Sequence, residues 1–312
     1  MFGTASLPEI CDVRSGNDMK HVIFVLLILV TAGCVTQEKV TRPTAPTRAE
    51  TIAKDPYVGA IAVDAKSGNV LFEENADARI YPASVIKLME LLVILEKIQH
   101  GDVTLSATVT TTPEAARVGG SQVYLREGEQ FTIDDLLYAL TVQSANDAAV
   151  ALATHLAGSK EAFVQQMNKR AAEIGMKSTH FTSVHGLPPA RGETPDISTP
   201  RDLSLLAREL LRHPETLRYT GCRERGFRSG EQSFLMRNHN HLLGTVEGCD
   251  GLKTGYFNAA GFSIVATATT NGRRIIAVVA GCRDRTTRDN AAHKLLTEVF
   301  STESSKKDSA NN

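Results

Sequence analysis

Ser84 and Lys87 stand three residues apart in "YPASVIKLME", at the start of an apolar, helix-like run. On a helix this spacing puts both side chains on one face, within reach of each other. A hydroxyl beside an amine is either a helix cap near an unrelated charge or a nucleophile beside its base. Residue types alone do not decide, because Ser-x-x-Lys recurs at Ser304/Lys307. Ser-x-Asn occurs at Ser15/Asn17, Ser67/Asn69, Ser144/Asn146 and Ser309/Asn311, and Lys-[Ser/Thr]-Gly at Lys66-Ser67-Gly68 and Lys253-Thr254-Gly255. Context separates them. Ser304 sits in a charged tail with nothing apolar to shape a site, and Lys66-Ser67-Gly68 is a hairpin tip. Ser84 opens a helix, Ser144 lies between two helices, and Lys253 opens a strand after the turn at Gly248. One copy of each motif remains, in order, with gaps of 60 and 109 residues.

The elements that must position these residues are legible. "VGAIAVDAKSGNVLFEEN" predicts strands over about 58–64 and 69–74, joined at Ser67-Gly68-Asn69. From about 131 to 217 the pattern is mostly helical. Thr132 caps one helix, "NDAAVALATHLAG" and "KEAFVQQMNKRAAEIG" end at Gly158 and Gly175, and Thr199-Pro200 opens another. Strand-forming residues return at 251–256, 261–269 and 273–281, followed by an amphipathic helix over about 286–299. Early and late strands sharing one sheet imply an α/β fold, an antiparallel sheet flanked by helices, with the helical block as a second lobe.

With 34 basic and 35 acidic residues the net charge is -1, which leaves no electrostatic case for a nucleic-acid partner. None of the five cysteines forms a CxxC pair, so neither a thiol redox site nor a zinc knuckle is indicated. His239 and His241, alternating with Asn238 and Asn240, lack a carboxylate cluster and read as a polar loop or strand edge rather than a metal site. No metal and no cofactor is called for.

Met19-Lys20-His21, nine apolar residues at 22–30 and Thr31-Ala32-Gly33-Cys34 describe an export signal, too short to span a bilayer. The expected start is therefore Met19. "TAGC" resembles a lipobox, which makes Cys34 the expected lipidation site. Signal cleavage after Ala32 is the alternative, and either way the protein is exported. Residues 35–54 read as a flexible linker, 55–302 as one catalytic domain, and 303–312 as a polar tail.

The ordered SxxK, SxN and KTG motifs are the signature of penicillin-recognising serine enzymes. Their flanks narrow the match. "GGSQVYLREGEQFTIDDLLYALTVQSANDAAVALA", "HGLPPARGETPDISTPRDL" and "NHNHLLGTVEGCDGLKTGYFNAAGF" resemble the D-alanyl-D-alanine carboxypeptidase family of low-molecular-weight penicillin-binding proteins, from about residue 56 to 300. The resemblance implies that Ser84 attacks the carbonyl between two D-alanines while Lys87, neutral through burial and a second cation such as Lys253, takes its proton. It implies that Ser144 relays a proton to the leaving amine and that Asn146 binds the substrate's peptide chain. Lys253 and Thr254 would face the terminal carboxylate, and Gly255 would let the substrate backbone approach the edge strand. The N–H groups of Ser84 and Tyr256 would form the oxyanion hole.

The implied partners are a peptidoglycan stem peptide ending in D-Ala-D-Ala, β-lactams as inhibitors, and a membrane held through the N-terminal lipid. That lipid would replace the C-terminal β-domain and anchor helix of many relatives, for which no sequence remains beyond about residue 300. Ser183 stands where the family commonly has Asn, in a loop near the site. A D-alanyl endopeptidase, a β-lactamase and a non-catalytic envelope binding protein are the competing readings. The lactamase reading lacks the Glu-x-x-x-Asn pattern between Asn146 and Lys253 that would activate a deacylating water.

Overall fold

The computed structural model describes residues 50–310, so the signal-like segment, Cys34 and most of the expected linker lie outside the described residues. The chain runs through β1 (Gly59–Asp64), β2 (Val70–Glu74), a 3-10 turn (Ala83–Ile86) and α1 (Lys87–His100). The helical region follows. It holds β3 (Thr108–Thr110), α2 (Pro113–Arg117), β4 (Gln130–Thr132), α3 (Ile133–Tyr138), α4 (Asn146–Ala157), α5 (Lys160–Glu173), α6 (Pro200–Leu210) and α7 (Thr216–Thr220). Then come β5 (Glu224–Phe227), β6 (Phe234–Arg237), β7 (Cys249–Phe257), β8 (Gly261–Thr270), β9 (Arg273–Cys282) and α8 (Arg285–Ala310).

The main sheet is antiparallel, in the order β2-β1-β9-β8-β7. Early and late strands share it as expected, with Ile61 opposite Val278. β1 and β9 are buried along nearly their whole length, because helices cover both faces. α8 packs on one face and α6 on the other, while α1 packs against α4, α5 and α6. Nine consecutive α1 residues, Lys87 to Leu95, are buried, so the helix carrying the candidate base is a core helix. Thr132, Ser159 and Thr199 cap α3, α5 and α6 through their hydroxyls, and Gly101 and Gly158 end α1 and α4 in the left-handed conformation.

Three details differ from the sequence reading. α8 runs to Ala310 rather than about 299. The body begins inside the expected 35–54 linker, since the Ile52 N–H donates to the Ala259 carbonyl and Lys54 bridges to Cys282. The two short hairpins, β3–β4 and β5–β6, have strands of three or four residues, too short to show a period of two.

Candidate active site

Ser84 sits in a turn squeezed from two sides. Ala83 before it has φ +48, a left-handed conformation unusual for a residue with a side chain. A Cβ at Gly186 would lie 2.2 Å from the Ala83 carbonyl oxygen, and one at Gly255 would lie 2.5 Å from that of Pro82 and 3.1 Å from the Ser84 nitrogen. Gly255 is therefore needed for β7 to meet the protein's own Ser84 turn, a different reason from the substrate approach expected for it.

Lys87 is 1% exposed, and its Nζ has three neighbours: Ser84 Oγ at 3.0 Å, Asn146 Oδ1 at 2.7 Å and the His185 carbonyl oxygen at 2.8 Å. The Asn146 amide is oriented by its other end, which donates to the Gly119 carbonyl at 2.7 Å. A neutral amine has two N–H donors and one lone pair. Asn146 and His185 take the donors, which leaves the lone pair for the Ser84 hydroxyl. Burial pushes Lys87 down to about 7, against the opposing pull of Glu90, Asp147 and Asp196. Asn146 was expected to bind the substrate's peptide. It is buried instead, and its amide is engaged by Lys87 and Gly119.

Ser144 ends a π-helical turn (Ala139–Gln143) and is itself left-handed, with φ +60. Such turns often mark functional positions. Lys253 Nζ donates to Ser144 Oγ at 2.9 Å and to the Thr254 carbonyl at 2.9 Å, and is 2% exposed. Burial, then Lys87 and Arg288, hold Lys253 well below the usual lysine range. Burial is the leading cause of the low Lys87 value, as expected, and the repulsion between the two amines is felt at Lys253. The Lys253 amine is directed at Ser144.

The crevice above these groups has a volume of ≈ 220 Å³ and is lined by Ser84, Ser144, Thr254, Gly255 and Tyr256, joined by Ser121, His239, Phe262, Arg285 and Arg288. Half-exposed Tyr256 stacks on Phe262 with ring centroids 4.0 Å apart. Arg285 and Arg288, one helical turn apart at the start of α8, bring two basic side chains to the crevice. Arg288 is 2% exposed and pairs with Asp289 at 2.6 Å. Partial burial, then Lys253, Arg285 and Lys87, push His239 down to about 4, so it lines the crevice as a neutral imidazole. No carboxylate is among these lining residues.

Sequence reasoning missed the His185 carbonyl, Ser121, His239 and the two arginines. A carbonyl leaves no signal in residue types, although Ser183, two residues before His185, marks the loop. Ser183 shapes that loop: its hydroxyl donates to Asp196 at 2.7 Å and accepts from the Gly186 N–H at 2.9 Å. Asn238 and Asn240 brace the chain through the carbonyls of Thr220, Cys222 and Gly251, and His241 lies 3.6 Å from Asp289. Cys222, Cys249 and Cys282 are free thiols.

The family model for D-alanyl-D-alanine carboxypeptidases matches residues 44–284. D-alanyl-D-alanine carboxypeptidase DacF of Bacillus subtilis is 36% identical over 243 residues, covering 78% of this chain and 61% of that protein. DacC of Escherichia coli is 37% identical over 262 residues, 81% of this chain and 64% of that one. The chain thus spans under two thirds of the length of these relatives. Among solved structures, penicillin-binding protein 5 from Haemophilus influenzae superposes with TM-score 0.73 at 32% identity, covering 83% of this chain and 72% of that one. Penicillin-binding protein D2 from Listeria monocytogenes in its ampicillin-bound form gives 0.69 at 31%, covering 78% of this chain and 96% of that one. With that match over most of its length and relatives at 36% and 37% identity, the chain belongs to the D-alanyl-D-alanine carboxypeptidase family.

Proposed function

We propose that this chain is a serine-type D-alanyl-D-alanine carboxypeptidase that trims peptidoglycan stem peptides. The observation that carries the reading is the environment of Lys87: two acceptors at 2.7 and 2.8 Å hold its N–H groups, and Ser84 Oγ lies 3.0 Å away on the remaining side. The terminal carboxylate binds Arg285, Arg288 and Thr254. Ser84 Oγ attacks the penultimate D-Ala carbonyl carbon while Lys87 takes the hydroxyl proton, and the N–H groups of Ser84 and Tyr256 stabilise the oxyanion. The carbonyl–nitrogen bond breaks as Ser144, held by Lys253, gives its proton to the departing D-alanine, and the proton that Lys87 took from Ser84 passes to Ser144. Water then releases the shortened peptide from Ser84, with Lys87, neutral again, serving as base and its proton returning to Ser84 Oγ.

The absence of a carboxylate among the crevice-lining residues supports a lasting acyl-enzyme with β-lactams over rapid antibiotic turnover. Export through the segment at 19–34 and lipidation of Cys34 complete the proposal, placing the domain in the cell envelope. No helix among the described residues is long and apolar enough to cross a membrane. The test is intact mass after benzylpenicillin, with D-alanine release from a stem pentapeptide measured in parallel. A lasting adduct on Ser84 together with D-alanine release is expected. Antibiotic destroyed without an adduct means a lactamase, and no reaction favours a binding module.

A further inference from the structure

Glu90 follows Lys87 by one turn of α1 and is fully buried. Neither carboxylate oxygen has a hydrogen-bond partner among the described residues. Its sequence neighbours Leu88, Met89, Leu91 and Leu92 are also fully buried. A lone carboxyl among apolar groups is costly, and packing alone gives no reason for one here.

The other charged groups around Lys87 are accounted for. Asp147 on α4 accepts from the N–H groups of Val123, Leu125 and Ala148. Asp196 accepts from Thr182 and Ser183. His185 presents its carbonyl, and Lys253 on β7 is turned to Ser144. Only Glu90 is left with both oxygens free, and Lys87 is the charge that acts on it.

We propose that Glu90 is a positioning residue for the acylation step, keeping Lys87 basic enough to take the Ser84 proton and offsetting the ammonium that results. Among the charges acting on Lys87, Glu90 most strongly opposes the effect of burial. Burial in turn pushes Glu90 well above the usual carboxylate range, and a charged Lys87 draws it back toward ionisation. The two groups therefore respond to each other, and the pair has a shared titration. This inference rests on the reading of Lys87 as the base.

The experiment compares the purified protein with Glu90→Gln and Glu90→Leu, following benzylpenicillin acylation as a function of pH. Both variants should move the midpoint of the acid limb down by about one unit, since the carboxylate that a charged Lys87 draws toward ionisation has gone. Above the midpoint, acylation should slow about threefold, because a weaker base removes the proton. A merely structural role would change the melting temperature and leave the midpoint where it was. Glu90→Leu suits its apolar neighbours and should fold with unchanged or higher melting temperature, so the readout survives if Glu90→Gln misfolds. A midpoint unmoved in either folded variant overturns the proposal. The unsubstituted protein supplies a second reading: with 13C-labelled glutamate, the infrared band of a buried carboxyl should change on acylation, and an unchanged band overturns it as well. Should the unsubstituted protein not be acylated at any pH, the reading of Ser84 and Lys87 fails, and this inference with it. A shared failure of that kind is distinct from a normal pH profile that Glu90 does not influence.

Discussion

Asn146 Oδ1 lies 2.7 Å from Lys87 Nζ, and its amide nitrogen donates to Gly119 at the same distance. The second motif thus acts on the first by fixing the direction of the amine. Asn146→Asp puts a carboxylate where the amide oxygen was and should raise the Lys87 pKa by about one to three units. Acylation near neutrality should then fall about 10- to 1000-fold and recover at higher pH. Asn146→Ala should show a loss without that recovery. The pH profile of benzylpenicillin acylation tells the two apart.

The unsubstituted protein should lose acylation rate about tenfold per unit below a midpoint of about 7, as Lys87 gains a proton and its lone pair. A flat rate through that region would remove Lys87 from the role of base.

The same residue makes a stability prediction. Its folded pKa lies below the unfolded value of 10.5, so between about 7 and 10.5 the unfolded chain holds a proton that the native state lacks. The burial cost is fully present below about 7 and fades as pH rises toward the unfolded value. Unfolding free energy should therefore climb with pH across that window relative to Lys87→Met, in denaturant titrations of both proteins.

Gly255→Ala would drive a Cβ to 2.5 Å from the Pro82 carbonyl oxygen, a backbone atom with nowhere to go. About 1–3 kcal/mol of stability should be lost. Acylation should fall further than stability predicts, because the displaced backbone carries Ser84. Melting temperature and acylation rate, measured on one preparation, decide it.

Arg288→Gln should raise KM for a stem pentapeptide about tenfold with a smaller change in kcat, since it removes a carboxylate partner remote from the breaking bond. A peptide with an amidated C-terminus should be insensitive to the substitution. Equal effects on both peptides would show that Arg288 supports the fold instead.

The side chains that meet at the crevice were legible as a set because each motif joins a chemical group to an element boundary. Ser84 starts a helix, Ser144 separates two, and Lys253 begins a strand. The five main strands and the caps at Thr132 and Thr199 were legible from period and turn chemistry. What a residue touches across the fold was not. Lys253 and Arg288 are both basic, and only the stacking of α8 on the sheet decides which lines the crevice and which donates to Ser144. The His185 carbonyl was out of reach because backbone acceptors are common to every residue type. The left-handed Ala83 was hidden too, since alanine gives no hint of positive φ.

The strand order has a consequence for how activity arises during synthesis. β1 pairs with β9, and residue 61 meets its partner only once residue 278 has been made. Ser84 leaves the ribosome early, but the strand carrying Lys253 and the helix carrying Arg288 come from the last fifth of the chain. A growing polypeptide therefore carries Ser84 long before the strand and helix that complete its surroundings. The crevice is a property of the finished molecule, assembled from both ends of the described chain.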